Sequence, residues 1–276
     1  MNVEPWSTVP AGEHSPRVQA LQFLLRSRGQ VIVADGTYGP ATSAAVAAFQ
    51  TSVGLTSDGV VGPRTWPQLV RVTSAGATGD AVRGIQTLQL RTIPDEEPLA
   101  VDGTFGTRTR LRVRTYQETW GLTRDGIAGR EVWSFATADG MPYPLVKVGQ
   151  TTGTNFRVPI VQHLLRAHGS TIAADGNDGA ATGEAVRQFQ LTLRATDIST
   201  TVGQLDWPAL IITPIHPGDV GEAVMAVQSA FPGLAVDGVY GPVTRARVED
   251  LQQVFGGSGG VVDVDTWRAI IGPIFE

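Results

Sequence analysis

The chain has 276 residues, 42% of them hydrophobic and 17% charged, a balance that belongs to ordered globular proteins and excludes intrinsic disorder. Its formal charge of −5 and pI near 5.4 argue against a nucleic-acid surface, and against electrostatic attraction to an anionic membrane or polymer as the main driving force. The absence of cysteine removes disulfides, thiolate chemistry and cysteine-ligated metals, and leaves the compartment open.

The opening MNVEPWSTVPAGEHSPRV has no basic stretch followed by an apolar run, so no secretory signal is read there, and residues 1–12 read as a tail. No run of about 18 apolar residues marks a bilayer span. The first predicted helix carries Val18, Leu21 and Leu25 at i, i+3, i+7, one amphipathic stripe. A turn follows, Asp35-Gly36-Thr37-Tyr38-Gly39, in which the glycines supply backbone freedom and the aspartate can accept from amides just ahead of it. Pro40 then suits the first turn of a second helix bearing Val46, Phe49 and Val53. A second turn, Asp58-Gly59-Val60-Val61-Gly62, leads to Trp66 and Leu69 in a brief third helix.

The phrase ADGTYGPATSAAVAAFQ then returns as VDGTFGTRTRLRVRTYQ, ADGNDGAATGEAVRQFQ and VDGVYGPVTRARVEDLQ. Fifteen residues separate Asp35 from Gln50, Asp102 from Gln117, Asp175 from Gln190 and Asp237 from Gln252. Each phrase follows a helix of the first kind: Val82 and Ile85 with Leu88 substituting at the third position, then Val158, Val161 and Leu165, then Val224, Val227 and Phe231. In all four a glutamine follows the middle apolar residue: Gln22, Gln86, Gln162 and Gln228. Each unit closes on a tryptophan, Trp66, Trp133, Trp207 or Trp267. The copies begin 67, 73 and 62 residues apart, longer than the roughly 20–45 residues of solenoid units, and a unit of about 60 residues can just bury its own core. The reading is a mainly α chain of four small three-helix domains, at 13–72, 76–138, 146–213 and 217–272. Pro- and Gly-containing linkers join them: RVTSAGATG, TADGMPYPLVK and IITPIHPG.

The succession apolar-Gln, Asp-Gly-x-aromatic-Gly-x-x-Thr, apolar-x-x-Phe-Gln, Gly-Leu-x-x-Asp-Gly-x-x-Gly and Thr-Trp-x-x-Leu resembles the three-helix peptidoglycan-binding domain of bacterial cell-wall hydrolases. The first copy follows it through Leu21-Gln22, Tyr38, Thr42, Phe49-Gln50, Gly54-Leu55, Asp58-Gly59 and Thr65-Trp66, and the second through Phe105, Tyr116-Gln117, Gly121-Leu122 and Trp133. The third departs by placing Asp178 at the aromatic position and ATDISTTVGQLDW at the second turn; the fourth keeps Tyr240 but has FGGSGGVVDVDTW. The resemblance implies a tandem array of wall-binding modules that recognise the glycan strand or the stem peptide. Most motif residues read as structural. Tyr38, Phe105 and Tyr240 are the ligand candidates, able either to pack on sugar rings or stem-peptide methyls or to be buried. Asp35, Asp102 and Asp237 serve either the turn or a ligand.

No catalytic constellation is found. His14, His163, His168 and His216 form no His-Glu-x-x-His or His-x-His motif, and there is no Gly-x-Ser-x-Gly, Ser-x-x-Lys or phosphate-binding loop. Isolated acids such as Glu118, Glu131 and Glu184 have no separate domain to build a glycosidase cleft. Arg108, Arg110, Arg112 and Arg114 share helix faces in pairs at i, i+4 and read as a solvated face or as contacts to wall phosphates or carboxylates. The expectation is a non-catalytic, multivalent peptidoglycan binder, needing no cofactor or metal, in the cell wall or outside the cell. The competing expectation is a protein-interaction scaffold, cytoplasmic or particle-associated, that has kept the fold without wall binding; a wall hydrolase is the third.

Overall fold

The computed structural model describes residues 4–90 and 97–272; the first three residues of the expected tail and residues 91–96 of the second expected domain lie outside the described residues. Among the described residues the chain forms twelve helices in four triplets: α1 (Pro16–Ser27), α2 (Pro40–Ser52) and α3 (Trp66–Leu69); α4 (Asp80–Thr87), α5 (Thr107–Thr119) and α6 (Arg130–Ala136); α7 (Arg157–Ala167), α8 (Ala180–Thr192) and α9 (Trp207–Leu210); α10 (Glu222–Gln228), α11 (Pro242–Phe255) and α12 (Val264–Ile271). The helices form around the first two apolar positions of each stripe, but the third often falls away from the core. Leu88 and Phe231 lie beyond the ends of α4 and α10, and Val53, Leu193 and Phe255 are exposed at the ends of the middle helices, where the amphipathic spacing predicts burial. The middle helix of each triplet starts directly after an extended glycine, Gly39, Gly106, Gly179 or Gly241, and two of them have proline in the first turn, where its missing N–H costs nothing.

Each triplet closes on its tryptophan. Trp66, Trp133, Trp207 and Trp267 are fully buried, and each indole N–H donates to a carbonyl of the segment preceding its triplet: Ser7 (2.9 Å), Arg71 (3.0 Å), Pro144 (2.7 Å) and Ile212 (2.8 Å). Those same segments make single antiparallel bridges to both turns of the triplet, as in Val9 with Val61 and His14 with Thr37. This corrects the reading of the tail and the linkers as mere connections. From Glu4 onward the tail is part of the fold: Trp6 is buried and stacks on Trp66 with ring centroids 6.1 Å apart. A buried indole N–H needs an acceptor, and the incoming segment supplies it.

The expectation of four separately cored domains also gives way. The chain divides into two compact units, Glu4–Pro142 and the region from Tyr143 to 272, each holding two triplets. In the second unit a single core runs through both triplets, from Tyr143 and Val158 to Trp267 and Ile271. The cause is the first helix of each pair, which is apolar on more than one face. In α1 Val18, Leu21 and Leu25 are buried as expected, and so are Ala20, Phe23 and Leu24; in α7 Ile160, His163 and Leu164 join the expected Val158, Val161 and Leu165. A helix apolar on this many sides must be enclosed, and the second stripe packs on α4 in the first unit and on α10 in the second. Gly84 makes the close approach in the first unit: a Cβ there would lie 3.1 Å from the Trp133 ring and 3.2 Å from the carbonyl oxygen of Ala20.

Polar contacts fix both pairings in the same way. Arg26 Nε reaches Asp80 at 2.9 Å, and Arg166 Nε reaches Glu222 at 2.8 Å, where His163 Nδ1 adds a 2.7 Å contact. Arg17 donates to the carbonyl of Thr137, the C-cap of α6 (3.1 Å), and Arg157 donates to the carbonyls of Ile271 and Gly272 at the end of α12. Orphan carbonyls at a helix C-terminus carry partial negative charge, so a cation there is favourable. Arg157 is fully enclosed; burial pushes it down to about 9, which still leaves it charged at neutral pH.

Candidate functional site

The recurring glutamines are the centre of every turn. In the first triplet, Gln22 Oε1 accepts from the N–H of Gly36 (2.8 Å), while its amide nitrogen reaches Asp35 Oδ1 (2.8 Å), the carbonyl of Thr37 (3.1 Å) and Thr42 Oγ1 (3.0 Å). Gly36 has φ +80°, in the left-handed region that favours glycine. Gln50, the end of the repeated phrase, does the same for the second turn, with Gly59 N (2.9 Å), Asp58 Oδ1 (2.7 Å), Val60 O (2.9 Å) and Thr65 Oγ1 (3.1 Å). One neutral amide thus satisfies donors and acceptors that burial would otherwise leave unpaired. Gln86, Gln117, Gln162 and Gln228 repeat the arrangement on Gly103, Gly126, Gly176 and Gly238.

The two turns read as degenerate keep this chemistry with other residues. Gln190 accepts from Ser199 N (2.7 Å) and reaches Asp206 Oδ1 (3.1 Å), and Asp206 in turn accepts from Gly203 N (2.8 Å). Gln252 accepts from Gly260 N (2.9 Å) and reaches Thr266 Oγ1 (2.9 Å). The sequence showed the glutamines recurring; their role emerges only when helix and turn meet.

The residues singled out as candidate ligand contacts take the structural one of their two expected placements. Tyr38, Phe105 and Tyr240 are 2%, 1% and 2% exposed. Tyr38 Oη donates to the carbonyl of Gly59 (2.8 Å) and Tyr240 Oη to that of Gly260 (2.6 Å), tying first turn to second. Of the two readings of these rings, ligand contact or burial, the structure shows burial: enclosed rings present no face to a sugar or a methyl group. Asp35, Asp102 and Asp237 are exposed, and each accepts at Oδ1 from the amide two residues on, at 2.9, 2.7 and 2.9 Å. That amide, followed by the glutamine, holds each carboxyl below the usual carboxylate range. The proposed arginine cluster is divided. Arg112 is buried and donates to the carbonyls of Gln89 and Glu97 (both 2.7 Å), while Arg108 pairs with Glu97. Arg110 and Arg114 run alongside Gly126, their Cγ atoms within 3.1 Å of where its Cβ would be.

Asp178 is the exception among the turn residues. Its main chain is held like that of Tyr38, with N–H donated to Gln150 O at 2.8 Å. Its side chain is 2% exposed, both carboxylate oxygens lack any hydrogen-bond partner, and burial pushes the group up to about 6.

Open space lies along the middle helices. A groove of about 570 Å³ runs between the irregular segment Val31–Val33 and the start of α2, with Asp35, Pro40, Ala41 and Thr42 in its walls. The second unit has a groove of about 470 Å³ between Ser170–Ile172 and α8, with Ala181, Glu184 and Phe189 in its walls. It overlaps the position of the first at Thr171, Ile172 and Ala181 but extends along α8 to Thr192, and its lining does not include the Asp175-Gly176 turn. Both fall within the roughly 300–1,000 Å³ of small-ligand clefts.

The fold and its turns define a class: small helical modules built on glutamine-clasped Asp-Gly turns. Residues 14–69 and 78–135 match the family described as "Putative peptidoglycan binding domain", so the first two triplets are similar to that family's domain. The chain is 31% identical over 147 residues to a "Probable N-acetylmuramoyl-L-alanine amidase" of Bacillus licheniformis, covering 43% of this chain and 40% of that one. It is 35% identical over 77 residues to the zinc D-Ala-D-Ala carboxypeptidase of Streptomyces albus G, covering 26% and 30%. The chain spans well under half the length of the curated relatives it matches. A solved structure, the Burkholderia AP3 phage endolysin, aligns over 74% of this chain and 60% of its own at 21% identity with a TM-score of 0.23, too loose to carry an argument.

Proposed function

We propose that this protein is a multivalent, non-catalytic binder of bacterial cell-wall peptidoglycan, acting in the wall or outside the cell. The observation that carries the reading is the glutamine clasp. The two segments that match the family hold their turns with it, and the third and fourth triplets hold theirs the same way. The extension of the family to all four triplets rests on that shared chemistry. The relatives named as an amidase and a carboxypeptidase are wall enzymes, and the part shared with them is read here as the wall-binding part. Among the described residues no three of His, Asp and Glu come together in a group that could hold a metal, and no helix is long and apolar enough to cross a membrane. Several weak sites on one chain, meeting a polymer of repeating epitopes, raise apparent affinity by roughly 10²–10⁴ when they engage together.

The test is co-sedimentation of the intact chain with purified sacculi, beside its affinity for soluble fragments released from the same sacculi. Tight pelleting with weak fragment binding is expected. Equal affinity for both removes multivalency. No pelleting, with a stable protein partner instead, returns the scaffold reading, and clearing of the sacculus suspension returns the hydrolase.

A further inference from the structure

Building on the wall-binding reading, we propose that the grooves beside Val31–Val33 and Ser170–Ile172 take the stem peptide of peptidoglycan, with its diamino-acid amine free, and not the glycan strand. Sugar rings are commonly held by stacking on an exposed aromatic face, the amphipathic use of such rings. Every tryptophan and tyrosine among the described residues is buried, and Phe255, on α11, is the one large exposed aromatic there. It lies in neither groove. Phe189 does line the second, but it is buried with its ring against His168, centroids 4.9 Å apart.

The grooves offer what an extended peptide uses. Val31 and Val33 are exposed in a segment outside helix and turn, and among the described residues the main-chain groups of Val31, Ile32 and Val33 have no hydrogen-bond partner. In the second groove, by contrast, Ser170 donates its N–H to the carbonyl of Leu165 and the carbonyl of Ile172 accepts from Arg166. The Val31–Val33 segment can pair with an extended chain through its main chain, with alternate side chains entering the groove. The opposite wall includes small residues, Ala41 and Thr42 in one groove and, beside Gln188 and Thr192, Ala181 and Ala185 in the other, which suit the methyl side chains of alanines.

Charge selects the end that enters. Asp35 is the charged group lining the first groove; Glu184 and His168 are the titratable groups lining the second, and neither lining includes Lys or Arg. Asp35 is held ionised by the Thr37 N–H and Gln22, and Glu184 by Gln188 and by Arg187, with which it forms a 3.1 Å ion pair. Asp35, without a cationic partner in its lining, complements an amine and repels the peptide's own acids. Cross-linking acylates that amine, so uncross-linked stems are preferred.

The intact chain is titrated by calorimetry with three probes: the pentapeptide L-Ala-γ-D-Glu-L-Lys-D-Ala-D-Ala, the same peptide with its lysine Nε-acetylated, and the peptide-free tetramer of N-acetylglucosamine. Sacculus co-sedimentation is run beside it. Expected are binding of the free peptide, about tenfold weaker binding after acetylation for the loss of one charge-assisted contact, and no binding of the sugar. Ala41→Trp with Ala181→Trp, both on exposed helix positions, should abolish peptide binding while the thermal transition is retained. Sacculus binding with the sugar bound and the peptide not bound overturns the proposal alone. Loss of sacculus binding by the intact chain overturns it together with the wall-binding reading. Peptide binding indifferent to acetylation removes the charge selection.

Discussion

Asp178 carries an unpaired carboxyl into a place where the other three triplets hold an aromatic ring, and replacing it with asparagine should change how stability depends on pH. The folded-state value is pushed up to about 6 by burial, from an ordinary 3.8, with no neighbouring charge contributing. Two pH units are worth about 3 kcal/mol at about 1.4 kcal/mol each. The sign follows from proton binding. Below about pH 4 the carboxyl is neutral both folded and unfolded, and no penalty applies. Between about 4 and 6 the unfolded chain gives up its proton while the fold retains it, so stability falls as pH rises. Above about 6 the full penalty is present. Asp178→Asn keeps the shape and cannot ionise. Urea unfolding of the second unit at half-unit steps from pH 3.5 to 7.5 should show wild type and variant equal at the acid end. The variant should be more stable by up to about 3 kcal/mol at the neutral end, with the divergence confined to the window between. Taking the difference between the two proteins cancels the other titrating carboxyls. A difference that stays constant across that window would show that Asp178 is solvated or paired in solution, and would refute the reasoning.

Gln22→Ala should cost about 2–4 kcal/mol in the first unit, because the Gly36 N–H and the Thr42 hydroxyl lose a buried partner; Gln22→Glu should be at least as damaging, since a carboxylate cannot donate to Asp35, and chemical denaturation of both variants checks this. Arg157→Met should lower the stability of the second unit by about 2–3 kcal/mol by exposing two unpaired carbonyls to an apolar neighbour, whereas Arg17→Met, at one carbonyl and less enclosed, should cost about 1 kcal/mol; calorimetric melting separates the two. Trp6→Ala should destabilise the first unit by about 3 kcal/mol through the emptied space against Trp66, and an unchanged melting curve would return residues 4–12 to the status of a tail.

Much of the local structure was legible before any coordinates. The stripe of Val18, Leu21 and Leu25 marks α1, Pro40 marks the start of α2, and Asp35-Gly36 marks a turn, because each depends on residues within a few positions of one another. The recurrence of Gln22 and Gln50 was visible too, but the residues they clasp stand 14 and 9 positions away on another element. The aromatic at Tyr38 was ambiguous for the same reason: its hydroxyl meets Gly59, 21 residues on, and only that meeting decides between a ligand face and a buried tie.

The second apolar stripe of α1, Ala20, Phe23 and Leu24, was present in the sequence and signalled that the helix is enclosed on more than one side. It did not name the partner. Sequence by itself determined the helices, the turns and their fourfold recurrence, since these follow from short-range periodicity and backbone preference. Tertiary structure alone decided that triplets share a core in pairs, that incoming segments cap the tryptophans, and that a buried acid occupies an aromatic's place. Those outcomes depend on which surfaces fit when brought together from far along the chain, and local pattern carries no information about fit.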